Sequence, residues 1–227
     1  MKVGALISSG KDSNFAMYKV MKEHEVVCLM TIHSNNPDSY MFQSQGTDMV
    51  LLQAEALGLP LIEDETKGIK EEELIDLKRI IQKAIDQYDI EAVVTGALYS
   101  DYQRERIENI CEELGIKSLA PLWHMGQEKE MKELLKEGFK FIFVKIAADG
   151  LNKDWLGKII TQEQLDKLMA INEKIGLNIA GEGGEFESLV LDSPMYKKRI
   201  VIDDSEIRME NDYIGLFLIN KSHLEEK

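Results

Sequence analysis

The strongest constraint on the fold lies at the N-terminus, where an apolar segment runs directly into SSGKDS at residues 8–13. The apolar residues of 3–8 predict a buried strand. From Asp12 onward apolar residues recur at helical spacing, so a helix should begin within the motif. A glycine-bearing loop at a helix N-terminus presents backbone N–H groups and the positive end of the helix dipole. We therefore expect an anion site, typically for phosphate; helix capping alone by Ser9, Asp12 or Ser13 is the alternative.

Strands and helices alternate through the first part of the chain, which predicts an α/β fold with a doubly wound parallel sheet. If the strand order is 3-2-1-4-5, ligands should bind between the first and fourth strands, where the order reverses. After residue 124 a helix and short strands predict a second, smaller α/β domain. The expected domains are 1–124 for nucleotide binding and 125–227 for substrate binding. The predicted strands are 3–8, 26–33, 59–64, 92–96, 118–122 and 141–146, and the predicted helices are 12–23, 47–57, 71–88, 102–114 and 128–137.

The formal net charge of −14 over 227 residues bears on possible partners. Nucleic-acid binders normally carry a basic surface, so we expect no nucleic-acid partner. No apolar run approaches the ~20 residues of a membrane span and no secretory signal precedes the first strand, so we expect a cytoplasmic protein without membrane contact. Cys28 and Cys111 lie in apolar segments and should be buried. The oligomeric state stays open, with a homo-oligomer among the alternatives.

The segment GALYSDYQRERIENICEELGI at 96–116 combines helix signals with a cation in an unusual place. Ser100 and Gln103 have the spacing of a capping box. Arg104 falls in the first turn of the predicted helix, where a positive charge opposes the helix dipole. Two explanations remain open, an intrahelical pair with Glu108 or an anionic ligand.

Two further segments have the composition of functional loops. HSNNPDSYMFQSQG at 33–46 is long for a strand-to-helix connection, and such loops often close over ligands. GEGGEFES at 181–188 places Glu182, Glu185 and Glu187 among three glycines. It is either a tight turn with solvated acids or a loop that faces a cation.

Taken together, SSGKDS, DSYMF, the 96–116 segment, PLW and GEGGEFES resemble the diphthine–ammonia ligase family, a branch of the Rossmann-like ATP pyrophosphatases. The resemblance runs from residue 1 to about residue 200, with the segments in family order. The chain departs from the family pattern at Ser9, where glycine is usual, at Gln43, where histidine is expected, and at Ser188, where threonine is commoner. Because eukaryotic members carry extra C-terminal domains, the compact chain resembles archaeal members.

The resemblance implies a reaction with ATP and Mg²⁺. ATP and ammonium would convert the carboxylate of diphthine, a modified histidine on elongation factor 2, into an amide. The route would pass through an acyl-adenylate and release AMP and pyrophosphate.

The resemblance also implies residue roles. The expected catalytic residues are Lys11, Asp12, Glu182 and Glu185, with Asp12 also contacting Mg²⁺. The expected ATP contacts are Ser8, Ser9, Gly10, Lys11, Asp12, Ser13 and Gly96, where Gly96 would let adenine lie against the sheet. The expected substrate contacts are Tyr40, Tyr102, Gln103, Arg104, Gly183, Gly184, Glu185 and Phe186.

Two other functions fit part of the sequence. An ATP pyrophosphatase acting on tRNA would share the first motif, but thiolation needs a reactive cysteine and the chain has no C-x-x-C. A non-catalytic nucleotide-binding module would leave residues 181–188 without a role.

Overall fold

The computed structural model describes residues 1–34, 49–69 and 71–227. Contacts divide the chain into two compact units, Met1–His124 and Met125–Lys227. Within the described ranges, none of the helices combines the length and the apolar character that crossing a bilayer requires.

The first unit is a five-stranded parallel sheet in the order β3-β2-β1-β4-β5, so the predicted fold class and strand order are confirmed. The order reverses between β1 and β4, because β1 is the first strand and has both β2 and β4 as neighbours. The strands are β1 Lys2–Leu6, β2 Glu25–Ser34, β3 Leu61–Thr66, β4 Ala92–Val94 and β5 Lys117–Leu119. The helices are α1 Lys11–Met21, α2 Val50–Leu57, α3 Glu73–Tyr88 and α4 Asp101–Glu113.

One face of this sheet is covered by α3 and α4, whose apolar stripes pack on the strands. Leu77, Ile80 and Ile107 belong to this core, together with both cysteines. Burial raises the pKa of Cys28 and of Cys111 to about 12. The prediction that the cysteines serve as core residues is confirmed.

The end of β4 lies directly against the first turn of α1. A Cβ added at Gly96 would stand 2.6 Å from the backbone nitrogen of Ser13 and 2.7 Å from the carbonyl carbon of Asp12. Glycine is therefore needed here for helix packing, a reason different from the contact with adenine that the resemblance implies. This close approach holds the start of α1 beside the point where the strand order reverses.

The second unit contains an antiparallel sheet in the order β7-β6-β9-β8 and two helices. β8 and β9 form an antiparallel hairpin, and β6 pairs antiparallel with both β7 and β9. A short 3-10 helix spans Lys153–Trp155. The strands are β6 Lys140–Ala147, β7 Phe186–Asp192, β8 Lys198–Met209 and β9 Ile214–Glu226, and the helices are α5 Gln127–Lys136 and α6 Gln162–Ile175.

Replacing Gly96 by alanine should lower the free energy of unfolding by about 2 kcal/mol or more, because backbone atoms of α1 cannot move aside as a flexible side chain would. Urea unfolding followed by circular dichroism measures the loss. Gly126→Ala is the control: nothing lies within 4 Å of its added Cβ, and the expected change is below about 1 kcal/mol. Equal losses in the two variants would contradict the packing explanation.

Candidate functional site

The loop that joins β1 to α1 carries the predicted anion site. α1 begins at Lys11 with Gly10 as its N-cap, a residue that has no side chain with which to cap the helix. The Ser13 hydroxyl instead accepts a hydrogen bond from the Ser8 backbone N–H at 3.2 Å and donates to the Gly10 carbonyl at 3.3 Å. Capping alone therefore does not account for the motif.

Lys11 and Asp12 form an ion pair at the start of α1. The Lys11 side chain is only 1% exposed, whereas that of Asp12 is partly open to solvent. A buried ammonium is costly unless it is paired, so the Asp12 carboxylate stabilises the lysine in place. The helix dipole and this ammonium together provide positive potential at the loop.

Two buried amide side chains hold the backbone of this loop. Gln53 of α2 donates to the Ser9 carbonyl at 3.0 Å, and Asn14 of α1 donates to the Gly10 carbonyl at 2.9 Å. Both residues are fully buried. The sequence analysis missed them, although a glutamine inside the apolar run VLLQAEAL was a usable signal for a buried polar contact.

Ser9 has an unusual backbone conformation. Its φ of 69° lies in the left-handed region that favours glycine. Its hydroxyl is buried, and no hydrogen-bond partner for it lies among the residues that the structure describes. This backbone requirement explains why glycine would be the usual residue at position 9 in the family that the motif resembles.

At the start of α4, the structure contains the Ser100–Gln103 contact and the Arg104–Glu108 pair that the sequence suggested. The Ser100 hydroxyl accepts from the Gln103 N–H at 3.3 Å. Arg104 Nη1 donates to both Glu108 carboxylate oxygens at 2.9 and 2.8 Å. The intrahelical pair thus forms, and the guanidinium also lies 4.5 Å above the Trp123 ring. The pair with Glu108 is the first of the two explanations given for Arg104, and the second, an anionic ligand, is compatible with it.

Tyr102 takes part in a small cluster with Glu71 and Arg106. Its hydroxyl donates to the Glu71 carboxylate at 3.2 Å, and the Arg106 guanidinium lies 3.4 Å from the centre of its ring. Burial, and then the hydrogen bond to Glu71, raise the pKa of Tyr102. One face of the ring is therefore already covered by a cation of the protein itself.

The long polar loop at 33–46 lies mostly outside the described residues, which end at Ser34 and resume at Met49. Tyr40, an expected substrate contact, and Gln43 both fall in this gap.

In the second unit, the GEGGEFES segment forms a tight loop before β7. Gly181 and Gly184 have φ values of 80° and 85°. The Glu185 carboxylate accepts from the Gly183 N–H at 2.8 Å. Glu187 instead pairs with Lys145 across the sheet at 2.9 Å. Two of the three carboxylates, those of Glu182 and Glu185, thus lie on the loop itself.

Phe186 anchors this loop in the core of the second unit. Its ring is stacked on Phe143 at 3.8 Å, and the residue is 4% exposed. A Cβ at Gly181 would stand 2.8 Å from the same ring. The Asn178 side chain also accepts from the backbone N–H of Ala180 at 3.0 Å. The structure therefore gives Phe186 a packing role, in contrast to the contact with a cationic substrate that the resemblance implies.

The side chains near the loop between β1 and α1 indicate what kind of magnesium binding the protein could support. Among the described residues no group of three or more His, Cys, Asp or Glu side chains could hold a metal. Magnesium that travels with nucleotide phosphates typically needs only one or two carboxylates and keeps water ligands. Asp12 at the loop fits that kind of binding, in which the phosphates and not a protein cage supply most of the ligands.

The fold defines a class: a doubly wound α/β unit with a glycine-bearing loop and a helix N-terminus where the strand order reverses, followed by a separate antiparallel unit. Models of two domains match this chain, the diphthamide synthase N-terminal domain at residues 1–118 and the diphthamide synthase C-terminal domain at residues 126–224. The chain belongs to the diphthamide synthase family, and the predicted resemblance is confirmed.

Curated relatives carry the name diphthine–ammonia ligase. The mouse protein is 36% identical over all of this chain and 94% of its own length, and the zebrafish protein is 37% identical over all of this chain and 98% of its own. The fission yeast protein is 44% identical over 91% of this chain, which spans 37% of that longer protein. Because animal relatives are matched over nearly their full length, the expectation that eukaryotic members carry extra C-terminal domains is wrong for these proteins. The compact form is therefore no sign of an archaeal member.

Among solved structures, the chain is similar to a predicted subunit of tRNA methyltransferase from Methanocaldococcus jannaschii. The identity is 17% and the TM-score 0.46, over 86% of this chain and 98% of the other.

Replacing Ser9 by glycine should raise the free energy of unfolding by about 1 kcal/mol, because glycine adopts the left-handed conformation without a Cβ clash and removes a buried hydroxyl. Ser9→Ala is the matched control, since it removes the hydroxyl and keeps the Cβ. Urea unfolding should give Ser9→Gly a larger free energy of unfolding than both the wild type and Ser9→Ala. A glycine variant less stable than the wild type would disprove the backbone explanation.

Proposed function

We propose that this chain uses ATP and ammonium to convert the carboxylate of diphthine on elongation factor 2 into an amide, with release of AMP and pyrophosphate. The observation that carries the proposal is the buried Lys11 at the uncapped start of α1, beside the reversal of strand order. Membership of the diphthamide synthase family supplies the substrate. The substrate is a translation factor, so we place the reaction in the cytoplasm.

The chemistry explains the need for ATP. A carboxylate resists attack by ammonia because an oxide ion would have to leave. A carboxylate oxygen therefore attacks the α-phosphorus, the bond to the β-phosphate oxygen breaks, and pyrophosphate leaves. The nitrogen of ammonia then attacks the acyl carbon, the bond to the adenylate oxygen breaks, and AMP leaves. Ammonium loses two protons in the process: the first when it becomes ammonia, and the second when the amide forms.

In this proposal the loop at Ser8–Ser13 receives the β- and γ-phosphates. Lys11 and the dipole of α1 offset the negative charge that grows on the departing pyrophosphate. Asp12 holds Lys11 and, when magnesium arrives with the nucleotide, is the carboxylate available to it. Magnesium would neutralise phosphate charge there. Gln53 and Asn14 donate hydrogen bonds to the carbonyls of Ser9 and Gly10 and so keep these oxygens turned away from the phosphates.

The second unit contributes negative charge. Glu182 and Glu185 repel a triphosphate and attract cations, so they suit the trimethylammonium group of diphthine or ammonium itself. Gly183 and Gly184 allow the tight turn that presents them. In this proposal the first unit binds the nucleotide, and the glycine-rich loop of the second unit attracts the trimethylammonium group of diphthine or ammonium.

Sulfur transfer to tRNA has less support. The chain has two cysteines. Both are buried in the core of the first unit, and burial raises the pKa of each thiol to about 12. A persulfide carrier needs an accessible thiolate, and neither residue offers one.

Incubation with ATP, magnesium, ammonium and diphthine-bearing elongation factor 2 should yield AMP and pyrophosphate together with the amide. Chromatography identifies the nucleotide, and mass spectrometry detects replacement of the acid OH by NH₂. Turnover by Lys11→Ala should fall about a hundredfold or more, because a preorganised charge at the reacting phosphates is lost. Lys174→Ala, at the exposed end of α6, is the control and should behave as the wild type. ADP as the sole nucleotide product would refute the mechanism.

Glu185→Gln should suppress amide formation strongly and leave ATP affinity within about threefold of the wild type, because the variant removes charge but retains an acceptor for the Gly183 N–H. Calorimetric titration with ATP and an end-point amidation assay give the two values. Glu173→Gln, an exposed position on α6, is the matched control. A joint fall of ATP affinity and amidation would move the loop to the nucleotide site and overturn this assignment.

A further inference from the structure

Four side chains from three separate segments form one stack at the C-terminal ends of β4 and β5. Trp123 lies 4.7 Å from the His124 ring, and His124 lies 5.8 Å from Tyr99, with interplanar angles of 29° and 18°. The Arg104 guanidinium lies 4.5 Å from the centre of Trp123. The His124 N–H donates to the Leu98 carbonyl at 3.0 Å and so ties the two loops together. The stack joins parts of the first unit that are far apart in sequence.

Within this stack Arg104 is held at two places. Both carboxylate oxygens of Glu108 accept hydrogen bonds from Nη1, and Trp123 supports the flat face of the guanidinium. Fixing a long side chain costs conformational entropy. An ion pair within a helix alone adds little to the free energy of unfolding in return. An aromatic platform beneath the pair therefore serves the orientation of the guanidinium more than the stability of α4.

The edge of the guanidinium formed by Nε and Nη2 has unused donor capacity, because Nε is buried and has no hydrogen-bond partner among the described residues. Within the part of the chain that the structure describes, Nη2 makes no hydrogen bond, and it forms a long ion pair with an Asp101 carboxylate oxygen at 3.6 Å. This distance is too long for a hydrogen bond. Arg104 also adds its charge to the positive end of α4. A rigid cation with a free planar donor edge suits an oxyanion.

The position separates this oxyanion from the phosphates of the nucleotide. The phosphate loop follows β1 and has its own cation, Lys11, whereas Arg104 follows β4 on the other side of the reversal in strand order. In the proposed reaction one more anion must approach a triphosphate that repels it, namely the carboxylate to be activated. Lys11, the dipole of α1 and magnesium are assigned to the phosphates, so a separate cation is needed for this carboxylate.

We infer that Arg104 binds the substrate carboxylate through its Nη2 edge and that Trp123 is the positioning residue that holds the guanidinium for it. The inference rests on the proposed function. An oxyanion of the nucleotide is the other source of the same chemistry, and separate titrations of the two ligands distinguish them.

Trp123→Leu should raise the KM for diphthine-bearing elongation factor 2 about tenfold, with kcat within about twofold of the wild type. Trp123→Phe keeps an aromatic face and should restore most of the loss, which simple filling of space would not do. Calorimetry should give an ATP affinity within about twofold of the wild type in both variants. In Arg104→Ala, added guanidinium ion should recover part of the lost amidation.

Arg199→Ala is the matched control, because it removes an arginine–glutamate pair in the second unit. It should change neither KM nor the response to guanidinium. Calorimetric binding of the modified elongation factor without ATP gives a readout that does not depend on turnover. An unchanged KM in Trp123→Leu would overturn the positioning role, and a parallel loss of ATP affinity would assign the oxyanion to the nucleotide instead. A wild-type chain that forms no amide but binds the modified factor through Arg104 would refute the proposed reaction and leave this contact standing.

Discussion

The contact between the end of β4 and the first turn of α1 is the constraint on which the candidate nucleotide site depends. Gly96 has no Cβ, so the backbone of Asp12 and Ser13 can lie where a side chain would otherwise stand. This contact fixes the N-terminus of α1 at the reversal in strand order. Gln53 and Asn14 then fix the preceding loop by their hydrogen bonds to its carbonyls. Backbone packing and these hydrogen bonds together place the positive end of the helix dipole at the loop.

The placement of charged residues in the two units tells as much about function as the net charge of the chain does. The chain carries a net charge of −14, yet the first unit keeps Lys11 buried at the phosphate loop and holds Arg104 against Trp123. The second unit has carboxylates on a glycine-rich loop that Phe186 anchors. Cations suit phosphate and carboxylate groups, and carboxylates suit ammonium groups. Amidation of an acid at the expense of ATP needs both kinds of group, which is how the two units divide the chemistry in the proposed function.

Packing gives some residues that the resemblance marks as substrate contacts a structural role as well. Phe186 and Tyr102 were expected to contact the substrate. The first is stacked in a core, and the second is covered on one face by Arg106. Arg104 differs from these two residues. Its intrahelical pair with Glu108 forms, and its guanidinium also lies on the Trp123 ring. A motif identifies which residues recur together, and packing decides which atoms of them can meet a ligand.

The sequence by itself determined the alternation of strands and helices, the reversal between β1 and β4, the burial of Cys28 and Cys111, and the family. These follow from local periodicity and from the rules that govern parallel sheets, so nearby residues suffice to predict them. Only the tertiary structure decided the left-handed backbone of Ser9, the hydrogen bond from Gln53 to its carbonyl, the stacking of Trp123 on Arg104 and the burial of Phe186. Each of these joins residues distant in sequence or depends on how such residues pack, and hydrophobic periodicity carries no information about that packing.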